Sequence, residues 1–183
     1  YENVRVTIPR TVVVATDYFD AFIRNNGLEY VLTTEMTDEE ILSEFVSSTL
    51  PYKLREALKA YVRTVSGPLA VRSSSKLEDS HYQPFAGIYS TYMIPYTEGN
   101  EDRQLRLLQK AIKSVYASTY FAASKAYVQS SQNLIAEEKM AVVIQEVCGT
   151  EQDGLFFPTL SGVARSINYY PIGDETPEEG GCN

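Results

Sequence analysis

From Val4 to Thr16 apolar positions first alternate with polar ones and then run together through Val12, Val13 and Val14, a pattern that predicts β structure with a turn near Pro9. The spacing then becomes helical. In "TDYFDAFIRNNG", Phe19, Phe22 and Ile23 fall on one face, Thr16 or Asp17 stands as the cap, and Gly27 lies just past the end. In "MTDEEILSEFVSS", Thr37 and Glu40 have the spacing of a capping box, and Ile41, Leu42 and Phe45 form the inward stripe. Pro51 opens a third helix, with Leu54, Leu58, Tyr61 and Val62 on its apolar side, before Gly67 and Pro68 stop it.

Beyond that pair, "LAVRSS" predicts a short strand, followed by a polar loop through His81 and Gly87. "GIYSTYMIPY" predicts a strand leading into a turn at "TEGN". Over residues 101–131, Leu105, Leu108, Ile112, Val115 and Tyr116 recur at helical spacing, and the pattern continues past Tyr120 towards Tyr127. The aromatic face of this long helix can bury against a sheet. "KMAVVIQEVC" is a strongly apolar strand, "PTLSGVARSINYYP" looks like another, interrupted at Gly162, and a Pro/Gly/Glu-rich loop ends the chain. There is no internal repeat or coiled-coil heptad. The fold class expected is α+β, with mixed strands and a long helix, as one domain over 1–183 or as two subdomains at about 1–67 and 68–183.

Composition narrows the function. With 183 residues, 44% of them hydrophobic, the chain can bury a core without a disulfide or metal staple. A formal charge of −8, from 16 Lys and Arg against 24 Asp and Glu, argues against an extended nucleic-acid footprint, because phosphate backbones reward clustered positive charge. A small phosphate ligand needs only local donors. Cys148 and Cys182 lack metal-ligand spacing, and the lone His81 cannot complete a His-rich metal site, so no metal ligand is assigned. This usage suits a reduced, cytoplasmic protein; a start at "YENVRV" suggests a piece of a longer one, and no apolar run reaches membrane-spanning length.

Arg72 is the sharpest local signal. Leu69, Ala70 and Val71 behind it suggest a buried strand, so its planar guanidinium stands near a strand end, where it can meet paired oxygens. Ser73, Ser74 and Ser75 add hydroxyl donors, and a phosphate is the natural guest. The plainer alternative pairs Arg72 with Glu78 or Asp79 while the serines hold a turn.

Together "PLAVRSSSKLEDSHYQPFAGIYSTYMI", "MAVVIQEV" and "LSGVARSINYYP" resemble the nucleotide-binding region of the phosphoenolpyruvate synthase and pyruvate, phosphate dikinase family. That family runs in the same order from an "AVRSS" strand through an acidic loop, an "FAG…TY" segment and a helix to a "VVxQ" strand and "SGV". "IPRTVVVATDYFDAFIRNNGL" is similar to the family's early strand–helix segment, so the resemblance covers almost the whole chain. It implies part of an ATP-grasp-like domain that clamps ATP between two lobes with Mg2+ and phosphorylates a histidine on a separate domain, which passes the phosphate to pyruvate. By the same resemblance Arg72 approaches the nucleotide phosphates as the catalytic arginine. Gly87 and Thr91 fall in the phosphate-side loop, and Gln145, Glu146 and Val147 fall near the interlobe hinge that recognises adenine. Each has a plain rival: Gly87 ending a loop, Thr91 as an ordinary strand residue, Gln145 satisfying a buried backbone group. His81 does not match the family's phosphorylated histidine.

The chain also departs from the family. Ala123 and Val128 occupy the basic positions of an "RAxxYR"-like stretch, with Lys125 nearby, and Arg165 stands where an aromatic residue is expected after "SGVA". The resemblance places the family's "GGK" loop before this chain and its magnesium-binding carboxylates after it, so the fragment alone is expected to be inactive. Asp174, Glu175, Glu178 and Glu179 do not match the metal positions and suit a solvated loop. The alternative reading is a degenerate nucleotide-binding or regulatory protein-interaction module without catalysis.

Overall fold

The computed structural model describes residues 6–75, 89–130, 139–162 and 164–167, together with Thr176, Glu178 and residues 181–182. The chain divides into two units, Tyr1–Val147 and Cys148–Asn183. In the first, the valine run and the other strongly apolar segments form an antiparallel sheet of four strands, β1 (Thr11–Val14), β2 (Leu69–Ser75), β3 (Tyr92–Ile94) and β4 (Met140–Glu146), in the spatial order β1-β4-β2-β3. Ile144 stands opposite both Val12 and Val71, which fixes which residues share a face. Val14, Leu69, Val71, Ile94, Val142 and Ile144 point to one side and are buried. Val13 and Met93 point to the other, each 62% exposed. Of the segment "GIYSTYMIPY" only Tyr92–Ile94 is strand among the described residues, and Gly87 and Ile88 lie outside them.

The helices cover the buried face. Helix α1 (Thr16–Asn26) starts one residue earlier than a Thr16 cap requires and two earlier than an Asp17 cap: Ala15 holds the N-cap position without a side-chain bond, and Asp17 sits in the first turn, where its charge favours the helix dipole. Gly27 ends it at φ 63°, the left-handed conformation glycine adopts without strain, and a short 3-10 segment, Leu28–Leu32, buries Leu28 and Val31. Helix α2 (Asp38–Ser47) carries the expected capping box, with Thr37 Oγ1 accepting from Glu40 N at 3.2 Å and Glu40 Oε2 accepting from Thr37 N at 2.8 Å. Helix α3 (Tyr52–Val62) follows Pro51 and buries Leu54, Leu58 and Val62.

The long helix forms, with a break. Helix α4 (Glu101–Ser118) is followed at once by α5 (Ala122–Ser130), the two joined through Thr119–Phe121. Ser124 Oγ donates to Ser118 O at 2.7 Å, and Ala122 N donates to Asp38 Oδ1 at 2.8 Å, so the second helix receives a cap from α2. Helices α1 and α4 contact the sheet, while α2 and α3 pack on α4. The aromatic residues of α4 and of the joint after it meet rings of α1 and α2: the ring centre of Tyr116 lies 5.1 Å from that of Phe19 and 5.5 Å from that of Phe22, and that of Tyr120 lies 5.5 Å from that of Phe45.

In the second unit, β5 (Thr150–Gln152) and β6 (Leu155–Phe157) form a hairpin around Asp153 and Gly154, both at positive φ (52° and 78°). Two such residues match the right-handed twist of the flanking strands. The strand expected through "PTLSGVARSINYYP" is confined, among the described residues, to β7 (Ala164–Arg165), paired with β8 (Gly181–Cys182). No helix among the described residues is long and apolar enough to cross a membrane.

Candidate functional site

Strand alternation puts Arg72 on the sheet face turned away from the helices. It stands opposite Val143 of β4, and the same face carries Val13, Ala70, Met93 and Gln145. Arg72 is exposed, and no described acid forms an ion pair with it; Glu78 and Asp79, its alternative partners, lie outside the described residues. Of the three serines only Ser74 shares this face, because Ser73 and Ser75 have the parity of the buried one, where Ser75 is 4% exposed. Thr91 is exposed and immediately precedes β3; the β2–β3 register, continued by one residue, sets it across from Arg72. Gly87 lies outside the described residues.

Gln145 is held in a defined orientation. Thr11 Oγ1 donates to Pro9 O at 3.0 Å, which spends its proton, and Gln145 Nε2 donates to Thr11 Oγ1 at 3.0 Å. Gln145 Oε1 takes no part in that bond. Glu146 has the opposite parity. Its side chain turns to the helix side, where Oε1 lies 3.6 Å from Arg10 Nη1, an ion pair too long to count as a hydrogen bond. Arg10 Nη1 also donates to Thr64 O, at the end of α3. The backbone amides of this segment are engaged: Glu146 N donates to Arg10 O and Val147 N to Pro68 O, each at 2.9 Å. Beside them Tyr61 buries a hydroxyl without a hydrogen-bond partner, and burial first, then the Glu146 carboxylate, pushes its pKa above the ordinary 10.0, against the opposing pull of Arg10.

The structure thus gathers Arg72, Gln145 and Thr91 at one open face and turns the Glu146 side chain away from it. Sequence reasoning missed Val13, Met93 and Val143, the apolar partners on that face. Counting alternate positions from Arg72 would have found Val13 and Val143 only once the pairing of β1 with β4 was known. Two concavities among the described residues lie elsewhere: one of about 380 Å³ is lined by residues such as Arg63, Thr97 and Gln104, another, of about 530 Å³, by residues such as Thr34, Met36 and Lys125. Neither contains a residue singled out for phosphate or adenine contact. Ala123 is exposed, and Lys125 donates from Nζ to Val31 O at 3.4 Å. Among the described residues no group of three or more His, Cys, Asp or Glu could hold a metal ion.

Residues 1–181 match the family described as "Pyruvate phosphate dikinase, AMP/ATP-binding domain". The chain is similar to the uncharacterized phosphotransferase YvkC of Bacillus subtilis, with 31% identity over 157 residues, covering 82% of this chain and 17% of the relative. It is also similar to the phosphoenolpyruvate synthase of Aeropyrum pernix, with 29% identity over 174 residues, covering 83% of this chain and 20% of the relative. The chain therefore spans a fifth or less of the length of these curated relatives.

Proposed function

Because the chain belongs to the pyruvate phosphate dikinase AMP/ATP-binding domain family, we propose that it forms the ATP-binding part of a multidomain phosphotransferase and holds the nucleotide against the open face of the β1-β4-β2-β3 sheet. The observation that carries this reading is the shared face of Arg72 and Gln145, which strand parity sets on the same side of adjacent strands, two register positions apart. Arg72 compensates phosphate charge as the catalytic arginine, and Thr91 offers a hydroxyl close to it. Gly87 permits close backbone approach in the phosphate-side loop. Gln145 presents Oε1 to an amino group of the base, with the backbone of Glu146 and Val147 beside it and Val13 and Val143 as apolar cover.

In the whole protein the domain is ATP-grasp-like. The β-phosphoryl group of ATP passes to a histidine on a separate domain, with AMP leaving and the γ-phosphate released to water as inorganic phosphate, and then to pyruvate, as in a cytoplasmic phosphoenolpyruvate synthase. A magnesium ion accompanying ATP would supply neutralisation of phosphate charge, and the carboxylates to hold it are expected from polypeptide outside this chain. Exposed Ala123, in place of a basic residue, favours one second reading, a nucleotide-binding or regulatory interaction module without catalysis. Formation of AMP from ATP by the full-length protein separates the two.

The direct test is calorimetry of Mg·ATP binding to the full-length protein. Arg72→Ala should weaken it by about 1.5–3 kcal/mol, the worth of a charge-assisted hydrogen bond. Unchanged affinity with an intact fold removes Arg72 from the site.

A further inference from the structure

The first unit ends at Val147, and each of residues 145–147 makes a hydrogen bond to a neighbouring strand or turn. Glu146 N and Val147 N are bonded to Arg10 O and Pro68 O, while the Glu146 side chain meets the Arg10 guanidinium, which is itself bonded to Thr64 O. One cation therefore joins the approach to β1, the end of α3 and the end of β4. The pair is partly shielded, its side chains 50% and 20% exposed, and the buried Tyr61 hydroxyl feels the charge of both members. An isolated surface ion pair contributes little to stability. This one instead acts on geometry, because its two members are also joined through their backbones by the Glu146 N to Arg10 O bond.

We infer that Arg10 and Glu146 are positioning residues, which hold the backbone of residues 145–147 flat and Gln145 Oε1 outward so that a nucleobase meets a rigid edge. The inference rests on the proposed placement of the base and goes beyond it. It gives Glu146 a role on the helix side of the sheet and Arg10 a role that no phosphate contact requires. Loosening the pair frees the strand end to shift, and the penalty falls on the base alone. The phosphates are met at Arg72, three positions back from the strand end in register, opposite Val143.

The experiment compares equilibrium binding of Mg·ATP and Mg·tripolyphosphate to the full-length protein, to Glu146→Gln and to Arg10→Met. Each substitution is expected to weaken ATP about tenfold while leaving tripolyphosphate within about twofold of wild type, the size of effect expected when one coupled contact is removed. Arg72→Ala, by contrast, weakens both ligands. A parallel loss of both ligands in Glu146→Gln and Arg10→Met reveals a merely structural role and overturns the inference, as does unchanged ATP affinity. Wild-type protein that binds neither ligand removes the nucleotide reading itself. Should Glu146→Gln not fold, the half-exposed Arg10→Met carries the same comparison.

Discussion

Tyr116 is fully buried among Phe19, Phe22 and the core of α4, and its hydroxyl has no hydrogen-bond partner. A buried polar group left unpaired costs about 1–3 kcal/mol. Tyr116→Phe keeps the ring contacts and removes that cost, so its thermal midpoint should rise by roughly 2–4 °C per kcal/mol gained; a lower midpoint would show that the hydroxyl is satisfied in solution. Burial also raises the pKa values of Tyr116 and Tyr120 well above 10.0, with Asp20 and Glu29 adding to the shift at Tyr120. Above pH 10 the unfolded tyrosines lose protons that the native ones keep. The native state then binds more protons, and stability must fall as pH rises through that range. Lys113 works in the opposite sense: burial lowers its pKa from 10.5, so the unfolded state keeps its proton longer, and stability rises with pH below that value. Denaturant midpoints measured across the alkaline range should therefore turn downward above about pH 10, and less steeply in Tyr116→Phe.

At the scale of elements, Thr37 offers the cleanest test. Its hydroxyl and the Glu40 carboxylate satisfy each other's backbone donors at the start of α2, and bonding to Thr37 holds the Glu40 carboxyl below its usual range. Thr37→Ala should cost about 0.5–2 kcal/mol in urea unfolding. No measurable cost would mean that Asp38 or solvent takes over the cap. This box was legible in the sequence because both partners are three residues apart, and Gly27 was legible for the same local reason. The break after Ser118 was not, since the cap on Ala122 comes from Asp38, far away in the chain. The hairpin at Asp153 and Gly154 carried a local signal that the flanking polar residues concealed. At the candidate site, Arg72 and Gln145 could be picked out singly, whereas their common face, and the opposite facing of Glu146, follow from a register between β2 and β4 that no local pattern encodes.

For the whole molecule, burial is uneven. Among the described residues the buried hydrophobic ones run from Val14 to Ile144, all in the unit that ends at Val147, while those of the second unit from Cys148 to Gly162 are exposed. A chain ending at Val147 should therefore keep a cooperative thermal transition and its near-ultraviolet dichroism, which reports the ring cluster. Loss of either places part of the core's support beyond that residue. Within the same unit, β4 separates β1 from β2 and pairs with both. During synthesis the ribosome releases β1 and β2 long before β4, so the nascent chain carries two unjoined apolar ribbons until residues near 146 emerge. Chaperone engagement should be strongest in that interval and end when the last ribbon slots between the other two.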